Sequence, residues 1–331
     1  MIAFAARRVG QMVLVLLALT LVVFLLQRIS PVDPVRAAVG PTASNQVVEA
    51  ARKRLGYTDP VYVQYVRYVG HAIGGNLDIS LRTGQPVASD IRRFGMASLE
   101  LVLATLVLGI PMALALGTLS AARTRGSGVL RVLLTALSAA PSFLLAALGI
   151  ILFYRVLHWL PATGQTDYVD VPTGPTGLLT VDGLISGQPA VTLDALKHLV
   201  LPALCLAALP AVAVGRVLRG GILANLRADH VRTARANGLL ERDIVLRHTL
   251  RNSAGSALAM GGLMFGVLFA NLAVVETIFA WPGIGQYVAQ SIPRGDFPAI
   301  AGVTLLLGAV YLLVNTVVDL LQAAADPRLR A

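Results

Sequence analysis

The chain has 331 residues, of which 56% are hydrophobic and only 13% are charged, and its formal net charge is +10. Soluble domains carry roughly 25% charged residues, so this composition requires lipid as the solvent for much of the protein surface. Nucleic-acid binding is excluded as the reason for the positive charge, because the basic residues lie between apolar runs and do not alternate with aromatic residues.

Six apolar runs are long enough, or nearly long enough, to cross a bilayer as helices. A spanning helix needs about 20 mostly apolar residues, because the hydrocarbon core is roughly 30 Å thick and a helix rises about 1.5 Å per residue. The fourth run is the shortest and contains Pro202 and Pro210, which neighbouring helices tolerate in a membrane. It also holds the single cysteine, Cys205, which we interpret as a small buried apolar residue. In chain order the runs are residues 9–26, 101–122, 132–154, 199–215, 253–275 and 300–318.

The first run, which follows Arg7 and Arg8, is predicted to be an uncleaved helix. It is longer than the roughly 7–15 apolar residues of a signal peptide, and no cleavage site of small residues follows it. With six spans both termini lie on one side of the membrane. We place that side in the cytoplasm, because more than half of the 27 Lys and Arg residues then lie inside. The first outer loop is basic as well, but it is long enough for translocation to ignore its charge.

Two outer segments are predicted to contain structure. The first outer loop has helical patterns at residues 44–55 and 61–73, separated by a turn at residues 56–60. The outer segment 161–196 is predicted to be a surface loop in which Asp194 belongs to no catalytic set. A helical pattern at residues 192–198 returns this segment to the membrane.

The inner segment between the fourth and fifth spans is predicted to form a helix, a glycine turn and a second helix. Residues 225–236 contain neither Pro nor Gly, and Asn237-Gly238 after them is typical of a left-handed helix cap. Residues 239–251 are helical again, so the segment presents a basic outer face. Two interpretations follow from the residues alone: a solvated loop that obeys the positive-inside rule, or a docking helix that enters a groove on a cytoplasmic partner.

Seven motifs in this chain resemble those of ATP-binding-cassette importer permeases, and more narrowly the B-type subunit of the dipeptide/oligopeptide branch. The most specific is DHVRTARANGLLERDIVLRHTLRN at residues 229–252, which is similar to the cytoplasmic coupling loop of that family. The resemblance extends over nearly the whole chain. The other motifs are QRISPVDP (27–34), SLRTGQPV (80–87), WLPATG (159–164), HLVLPAL (198–204), VETIFAWPGIGQ (275–286) and NTVVDLLQAAADPRLR (315–330).

Four positions depart from the family's usual wording. Arg232 stands where the wider superfamily has Glu, although this branch commonly has a basic residue there. His230 replaces a Tyr, and Ser256 stands near the place of a proline. Leu240 replaces a Ser, so the second helix lacks a preferred N-cap, a loss of about 1 kcal/mol.

The resemblance implies an all-α membrane protein with six transmembrane helices, a long first extracytoplasmic loop and a helix-turn-helix cytoplasmic coupling loop. It divides the chain into four parts. Residues 1–29 are the N-terminus and first transmembrane helix, and residues 30–97 are the extracytoplasmic loop. Residues 98–323 are the five-helix permease core, including the coupling loop 225–252, and residues 324–331 are the cytoplasmic tail. The expected location is the bacterial cytoplasmic membrane, with both termini in the cytoplasm.

The resemblance also implies partners and a mechanism of alternating access. The expected partners are a second homologous permease subunit, two cytoplasmic ATPase subunits or one fused ATPase, an extracytoplasmic substrate-binding protein and membrane lipid. This chain lacks a Gly-x-x-x-x-Gly-Lys-[Ser/Thr] phosphate loop, so we expect no cofactor in it, and the partner ATPases bind ATP and Mg. Closure of the ATPases on ATP then moves a docking helix, residues 228–237, and the membrane helices turn with it.

Two groups of residues are assigned from the resemblance. Gly262 and Gly266 belong to neither group and are predicted to allow close helix packing. One group is predicted to contact the binding protein or the pathway, although structural pairing is the favoured interpretation of its first member: Glu276, Trp281, Arg294 and Asp296. The other group is predicted to couple the chain to the ATPase: His230, Arg232, Thr233, Ala234, Arg235, Asn237, Gly238, Glu241 and Arg242.

The resemblance leaves the substrate open, since this branch carries di- and oligopeptides and close relatives carry nickel, haem, sugars or glutathione. Two other classes of protein are disfavoured. An intramembrane protease needs paired aspartates, a Ser/His pair or a His-Glu-x-x-His motif at membrane depth, and the spans contain none. A stand-alone channel or secondary transporter often has midplane charges or an inverted repeat, which the sequence does not show, and it has no use for a coupling loop.

Overall fold

The protein is built from helices joined by short connections. The computed structural model describes residues 2–29, 34–40, 42–54, 56–121, 128, 132 and 140–325. Within these ranges the only extended pairing is one isolated bridge between Ile79 and Pro86. The α-helices are α1 (Ile2–Ile29), α2 (Pro34–Val39), α3 (Asn45–Arg54), α4 (Val61–Ile73), α5 (Val87–Ala121), α6 (Ser142–Gly149), α7 (Leu179–Ile185), α8 (Pro189–Asn225), α9 (Asp229–Ala236), α10 (Leu250–Ile278), α11 (Ile284–Ser291) and α12 (Phe297–Ala325).

Shorter helical turns of other kinds complete the described part of the chain. Helix α6 continues as a π-helical stretch, Ile150–Val156. A single α-helical turn, Glu241–Asp243, leads through a π-helical stretch, Ile244–Thr249, directly into α10. A 3₁₀ turn, Ile292–Arg294, follows α11.

Five helices are long and apolar enough to cross a membrane: α1 from Gly10, α5, α8, α10 and α12 as far as Gln322. They coincide with five of the six predicted runs. The sixth, predicted at residues 132–154, is described as the shorter apolar stretch Ser142–Val156, because residues 133–139 lie outside the described residues. Residues 326–331 of the predicted tail also lie outside them. Large apolar side chains such as Leu14 and Val107 are 68% and 69% exposed, as expected for a surface that lipid covers.

Helix α8 differs most from its prediction, because it begins at Pro189, inside the segment 161–196 that was predicted to be a surface loop, and ends at Asn225, ten residues beyond the predicted run. The stretch 192–198 and the run 199–215 form parts of one helix of 37 residues. Pro189 occupies the first turn of α8, where the backbone N–H groups have no carbonyl partner within the helix, so the missing N–H of proline costs no hydrogen bond. In the most apolar stretch of 18 residues in α8, 61% is buried, whereas only 17–28% is buried in the corresponding stretches of the other four candidate spans. Helix α8 is therefore the most enclosed of the five.

The chain divides into two compact units. Unit 1 consists of Met1–Gly95 and Gln286–Leu312, and unit 2 consists of Met96–Gly285 and Leu313–Ala331. In unit 1, α4 packs on α1: the hydroxyl oxygens of Thr20 and Tyr65 lie 2.9 Å apart, and the ring centroids of Phe24 and Tyr65 lie 5.5 Å apart. These contacts hold the first apolar helix against an amphipathic neighbour.

Unit 2 is organised around α8. Helix α10 packs along it most extensively, α6 packs against both, and α7 packs on its first turns. An apolar cluster of Leu179, Val191 and Ala195 joins α7 to α8. Small residues permit close crossings elsewhere in the unit. A Cβ atom on Gly262 would lie 3.2 Å from Cγ1 of Val318, so the predicted packing role of this glycine applies to α10 and α12.

Candidate functional site

Helix α9 is a short, exposed helix on the segment that joins α8 to α10. Its first turn is closed by backbone bonds, since the amide groups of Val231 and Arg232 donate to the carbonyl oxygen of Ala228 over 3.0 and 3.3 Å. It begins at Asp229, four residues after the start of the predicted helical segment 225–236 and one residue after the start of the predicted docking helix 228–237. Val231 is the buried residue of α9, and the helix packs on the stretch Ile244–Thr249, whose first residue is also fully buried. One apolar contact face therefore seats the helix and leaves the rest of its surface open.

A glycine turn ends α9. Gly238 has φ +80°, the left-handed conformation that glycine adopts at least cost. Its amide donates to the carbonyl oxygen of Arg235 over 3.0 Å, and the amide of Leu239 donates to that of Ala234 over 3.2 Å. This pair of bonds is a Schellman cap. No atom lies within 4 Å of the place where a Cβ would stand on Gly238, so the backbone conformation, not space, requires the glycine.

An ion pair spans the same turn. Nε of Arg235 donates to Oε1 of Glu241 over 2.5 Å, and Nη2 donates to Oε2 over 3.2 Å. The hydrogen bond from Arg235 lowers the pKa of the Glu241 carboxyl. The pair therefore holds the end of α9 to the start of the next helical turn, which begins after Leu240 without a side-chain cap.

Most of the predicted coupling residues form one exposed, mainly basic surface. Ala234 is the exception, being half-buried. An ion pair of 3.7 Å between Arg232 and Asp229 is weak, because both side chains are largely in solvent. The exposed members are His230, Arg232, Thr233, Arg235, Asn237, Gly238, Glu241 and Arg242.

The second predicted group lies mostly inside the protein. Trp281 is fully buried, and its Nε1 donates to the carbonyl oxygen of Ala97 over 2.9 Å. Glu276 is fully buried as well, and its Oε1 accepts a hydrogen bond of 2.5 Å from Ser98 Oγ. The same Ser98 oxygen accepts from the amide of Ile284 over 2.7 Å. These contacts join α5, α10 and the start of α11 within unit 2.

Asp296 and Arg294 belong to unit 1 and differ in exposure. Asp296 is fully buried and caps α12, since its Oδ1 accepts from the amide of Ala299 over 3.3 Å. Its Oδ2 accepts from Ser80 Oγ over 2.5 Å and from the amide of Arg82 over 3.0 Å. Arg294 is exposed. The predicted contacts of this group with a binding protein or pathway stay predictions, and Arg294 offers a surface for them in this conformation.

Two buried carboxylates that the sequence analysis did not single out organise α7. Glu100, on α5, accepts from the amide and the hydroxyl of Thr180 over 2.7 and 2.6 Å. Asp182 accepts from the hydroxyl and amide of Thr176, over 2.7 and 3.1 Å, and from the amide of Gly177 over 2.8 Å. Burial raises the pKa of the Asp182 carboxyl, but these hydrogen bonds outweigh that effect, so its pKa is lowered. Neither carboxylate lies in a motif that marks it in the sequence.

Comparison with protein families decides which class of membrane protein this is. Residues 102–331 match the family described as "Binding-protein-dependent transport system inner membrane component". Residues 1–117 match the family for the N-terminal part of such membrane components. The chain belongs to this family. It is therefore a permease subunit, and the resemblance inferred from the seven motifs is confirmed.

Several named permeases are similar to this chain over nearly their full length. A probable D,D-dipeptide transport system permease protein of Escherichia coli (strain K12) is 40% identical over 326 residues, which cover 98% of this chain and 96% of that protein. A di/tripeptide transport system permease protein of Pseudomonas aeruginosa is 38% identical over 335 residues, covering 100% and 99%. A glutathione transport system permease protein of Escherichia coli (strain K12) is 32% identical over 332 residues, covering 100% and 99%.

The permease also brings together three side chains that the sequence analysis did not connect. Asp167, Asp194 and His198 each place a nitrogen or carboxylate oxygen within 4.8 Å of those of the others. The sequence analysis assigned Asp194 only to a surface loop and its return to the membrane. The spacing Asp194-x-x-x-His198 puts both residues on one face of a helix and could have indicated from the sequence that they lie together. Asp167 is distant in the chain, and no sequence pattern connects it to the other two residues.

Proposed function

We propose that this chain is one of two permease subunits of an ATP-driven importer in the bacterial cytoplasmic membrane. It crosses the membrane six times, with the run that ends near Val156 as the third span, and both termini lie in the cytoplasm. The basic segment between α8 and α10 supports this orientation, because cytoplasmic loops carry the excess of Lys and Arg. The remaining subunits are a second homologous permease, two ATPases or one fused ATPase, and an outer substrate-binding protein. ATP and Mg bind to the ATPases and not to this chain.

The coupling segment, residues 225–252, transmits the movement of the ATPase. The observation that carries this proposal is an exposed basic helix, α9, seated by one apolar face and closed by a left-handed glycine. A groove on a partner can hold such a helix without disturbing the fold behind it. This is the second of the two interpretations that the residues alone left open.

The base of the coupling segment joins the two membrane helices that flank it. Nδ2 of Asn225 lies 3.3 Å from Oγ of Ser253, and a Cβ on Gly221 would lie only 2.8 Å from the same oxygen. At the same end of α8, Nε of Arg219 donates to the carbonyl oxygen of Ser120 on α5 over 3.1 Å. A pull on α9 therefore moves α8 and α10 together and reaches α5, as alternating access requires.

Short peptides are the substrate class that the comparisons support best. The two most similar relatives described above are named for D,D-dipeptide and di/tripeptide transport. Glutathione is the second candidate, because a relative 32% identical over its whole length is named for it, and glutathione is itself a tripeptide. Selection among peptides belongs to the binding protein, which delivers the substrate.

The decisive experiment replaces Gly238 in the complete transporter. In Gly238→Val, a β-branched residue must adopt φ near +80°, at a cost of roughly 1–2 kcal/mol, and the cap that orients α9 is lost. We expect ATP-dependent peptide uptake by reconstituted vesicles to fall to background while the chain still inserts. Uptake in the absence of the ATPase subunits would instead identify a stand-alone transporter.

Gly187 supplies a matched control for this experiment. It also has a left-handed backbone, with φ +70°, and no atom lies within 4 Å of the place where its Cβ would stand, but it lies in the connection between α7 and α8. Gly187→Val therefore carries the same backbone strain outside the coupling segment. Normal uptake by Gly238→Val, or an equal loss in both variants, would remove the role proposed for the segment.

A further inference from the structure

Three side chains of unit 2 that transport coupling does not use meet where a connecting loop passes the first turns of α8. Asp167 lies in the loop, and Asp194 and His198 lie one helical turn apart on α8. We call these residues the His198 cluster. The His198 residue is 3% exposed, whereas the side chain of Asp167 is 82% exposed. The cluster thus places a buried imidazole beside a carboxylate that is open to solvent.

The imidazole of His198 has one satisfied nitrogen and one unsatisfied nitrogen. Nδ1 lies 3.0 Å from the backbone oxygen of Asp194, which can only accept, so we assign the ring proton to Nδ1. Nε2 then carries a lone pair, and it has no hydrogen-bond partner among the residues that the structure describes. It faces Oδ1 of Asp167 at 3.5 Å. In the neutral ring, a lone pair of Nε2 and a carboxylate oxygen of Asp167 therefore face each other, an arrangement that requires a proton or a metal cation between the two atoms.

The carboxylate of Asp194 fixes the loop in this position. Its Oδ2 accepts hydrogen bonds from Thr166 Oγ1 over 2.7 Å and from the amide of Asp167 over 2.8 Å. These two bonds attach the loop to α8 directly beside the imidazole. Histidines that bind metal ions usually donate their other ring N–H to a carbonyl or carboxylate, and carboxylates that bind metal ions are themselves hydrogen-bonded. The His198 cluster has both of these supporting contacts.

We propose that the His198 cluster is a binding site for a divalent transition-metal ion of the zinc type. Nε2 of His198 and the carboxylate of Asp167 are direct ligands, and the carboxylate of Asp194 is the third protein ligand. Zinc bonds to nitrogen and carboxylate oxygen are about 2.0–2.2 Å long, so tetrahedral ligands stand roughly 3.3–3.5 Å apart. The separation of 3.5 Å between Nε2 and Oδ1 matches this edge without a rearrangement. The exposed side of Asp167 leaves the fourth position to water.

The ligand set selects the class of ion. An imidazole nitrogen favours zinc and its transition-metal neighbours, whereas calcium and magnesium prefer sites made only of oxygen. A bound ion replaces the unfavourable approach of two lone pairs by two bonds. It thereby ties the loop around Asp167 to the start of α8 more strongly than the two hydrogen bonds to Asp194 do.

Zinc titration of the full-length chain in its detergent-solubilised transporter tests the proposal. After chelator treatment, wild type is expected to bind one more Zn²⁺ per chain than His198→Gln, as measured by calorimetry and by metal analysis. Asp167→Asn is expected to weaken zinc binding at least about tenfold. The side chain of Asp167 is exposed, so this substitution is not expected to disturb folding. Zn²⁺ is expected to raise the thermal midpoint of wild type and not that of Asp167→Asn, and a large excess of Ca²⁺ or Mg²⁺ is not expected to compete.

Asp170→Asn is the matched control, because Asp170 is an exposed carboxylate three residues further along the same loop. It is expected to bind zinc as wild type does. Equal zinc affinity in wild type, Asp167→Asn and His198→Gln would mean an adventitious ion only and would overturn the proposal. Absence of zinc binding from wild type would overturn it too. If His198→Gln does not fold, the comparison of Asp167→Asn with Asp170→Asn decides the question alone.

Discussion

Unit 2 uses polar side chains in two opposite ways. At what we call the carboxylate junctions, Glu100, Asp182 and Glu276 are buried and accept hydrogen bonds from hydroxyl groups or backbone amides. In α9 and the turn that follows it, the charged side chains from Asp229 to Arg242 are exposed, and backbone bonds around Gly238 maintain the shape instead. A buried acceptor is costly to leave unpaired, so each junction specifies one packing. A segment held by its own backbone leaves its cations available to another protein.

The largest effect is expected at Trp281, which is buried next to the Glu276 junction, where its amide donates to the backbone oxygen of Glu276, and which tests whether this buried region sets the stability of the unit. Trp281→Ala removes a fully buried indole and its bond to the carbonyl oxygen of Ala97. Truncation of a buried Trp costs about 3–5 kcal/mol, so we expect a marked fall in the unfolding midpoint in detergent. Trp281→Phe keeps most of the ring and is expected to lose much less. An unfolding midpoint of Trp281→Ala close to that of wild type would contradict the view that the buried contacts of unit 2 set its stability.

The next largest effect is expected at the base of the coupling segment, where the two kinds of region meet. Gly221→Leu must displace Ser253, because a Cβ at residue 221 already falls 2.8 Å from atoms of that side chain. Overpacking of this kind costs about 1–3 kcal/mol, measured as the free energy of unfolding. Gly220→Leu is the control, since no atom lies within 4 Å of the equivalent position there. Equal destabilisation by the two variants would mean that α8 and α10 are not tightly joined at this point.

A smaller, pH-dependent effect is expected at Asp182. Its folded pKa is lowered, so its charge stabilises the fold above the unfolded pKa of about 3.9, and this contribution is lost as the pH falls through the folded pKa. Asp182→Asn should therefore unfold at a lower temperature than wild type at pH 7. The difference should shrink as the pH is taken below about 4. A difference that stays constant down to about pH 3 would show that the charge of Asp182 is not what holds the turn.

The smallest effect on stability is expected for the ion pair of the coupling segment. Arg235→Ala removes both hydrogen bonds to Glu241, but the pair is largely exposed and therefore contributes little. We expect an unfolding midpoint near that of wild type and a measurable decrease in ATP-dependent uptake. Glu241→Gln keeps one acceptor and should decrease uptake less. A large loss of stability in Arg235→Ala would mean that the segment is a structural element like the junctions.

Much of the fold can be predicted from the apolar runs, because a helix that crosses the hydrocarbon core needs about 20 mostly apolar residues and such long runs are uncommon in soluble proteins. Five predicted spans coincide with described helices for this reason. The helical pattern at residues 192–198 was predicted correctly, but the helix begins earlier, at Pro189, inside the segment 161–196 that was predicted to be a surface loop. The start of α8 packs on α7 through Leu179, Val191 and Ala195, and Leu179 lies too far away in the chain for a local pattern to reveal it. The π-helical stretch Ile150–Val156, which continues α6, was not predicted from the sequence.

The exposed site was easier to predict than the buried one. Asn237-Gly238 marks the end of α9 because a left-handed cap has a strong local preference. The burial of Trp281 was not predicted, because the carbonyl oxygen to which its indole donates belongs to a residue 184 positions away in the chain. The carboxylate junctions and the His198 cluster depend on similarly distant partners. Spacing within one segment does not reveal them.

Pro202 and Pro210 divide α8 without ending it. A proline has no amide hydrogen, so the carbonyl groups of His198 and Leu206, four residues earlier, lose their usual donor within the helix. Helices bend most readily where a proline interrupts their hydrogen bonds, so the first turns of α8 can stay docked on α7 while the end near Asn225 moves. One end of this helix can therefore stay in place while the other end moves.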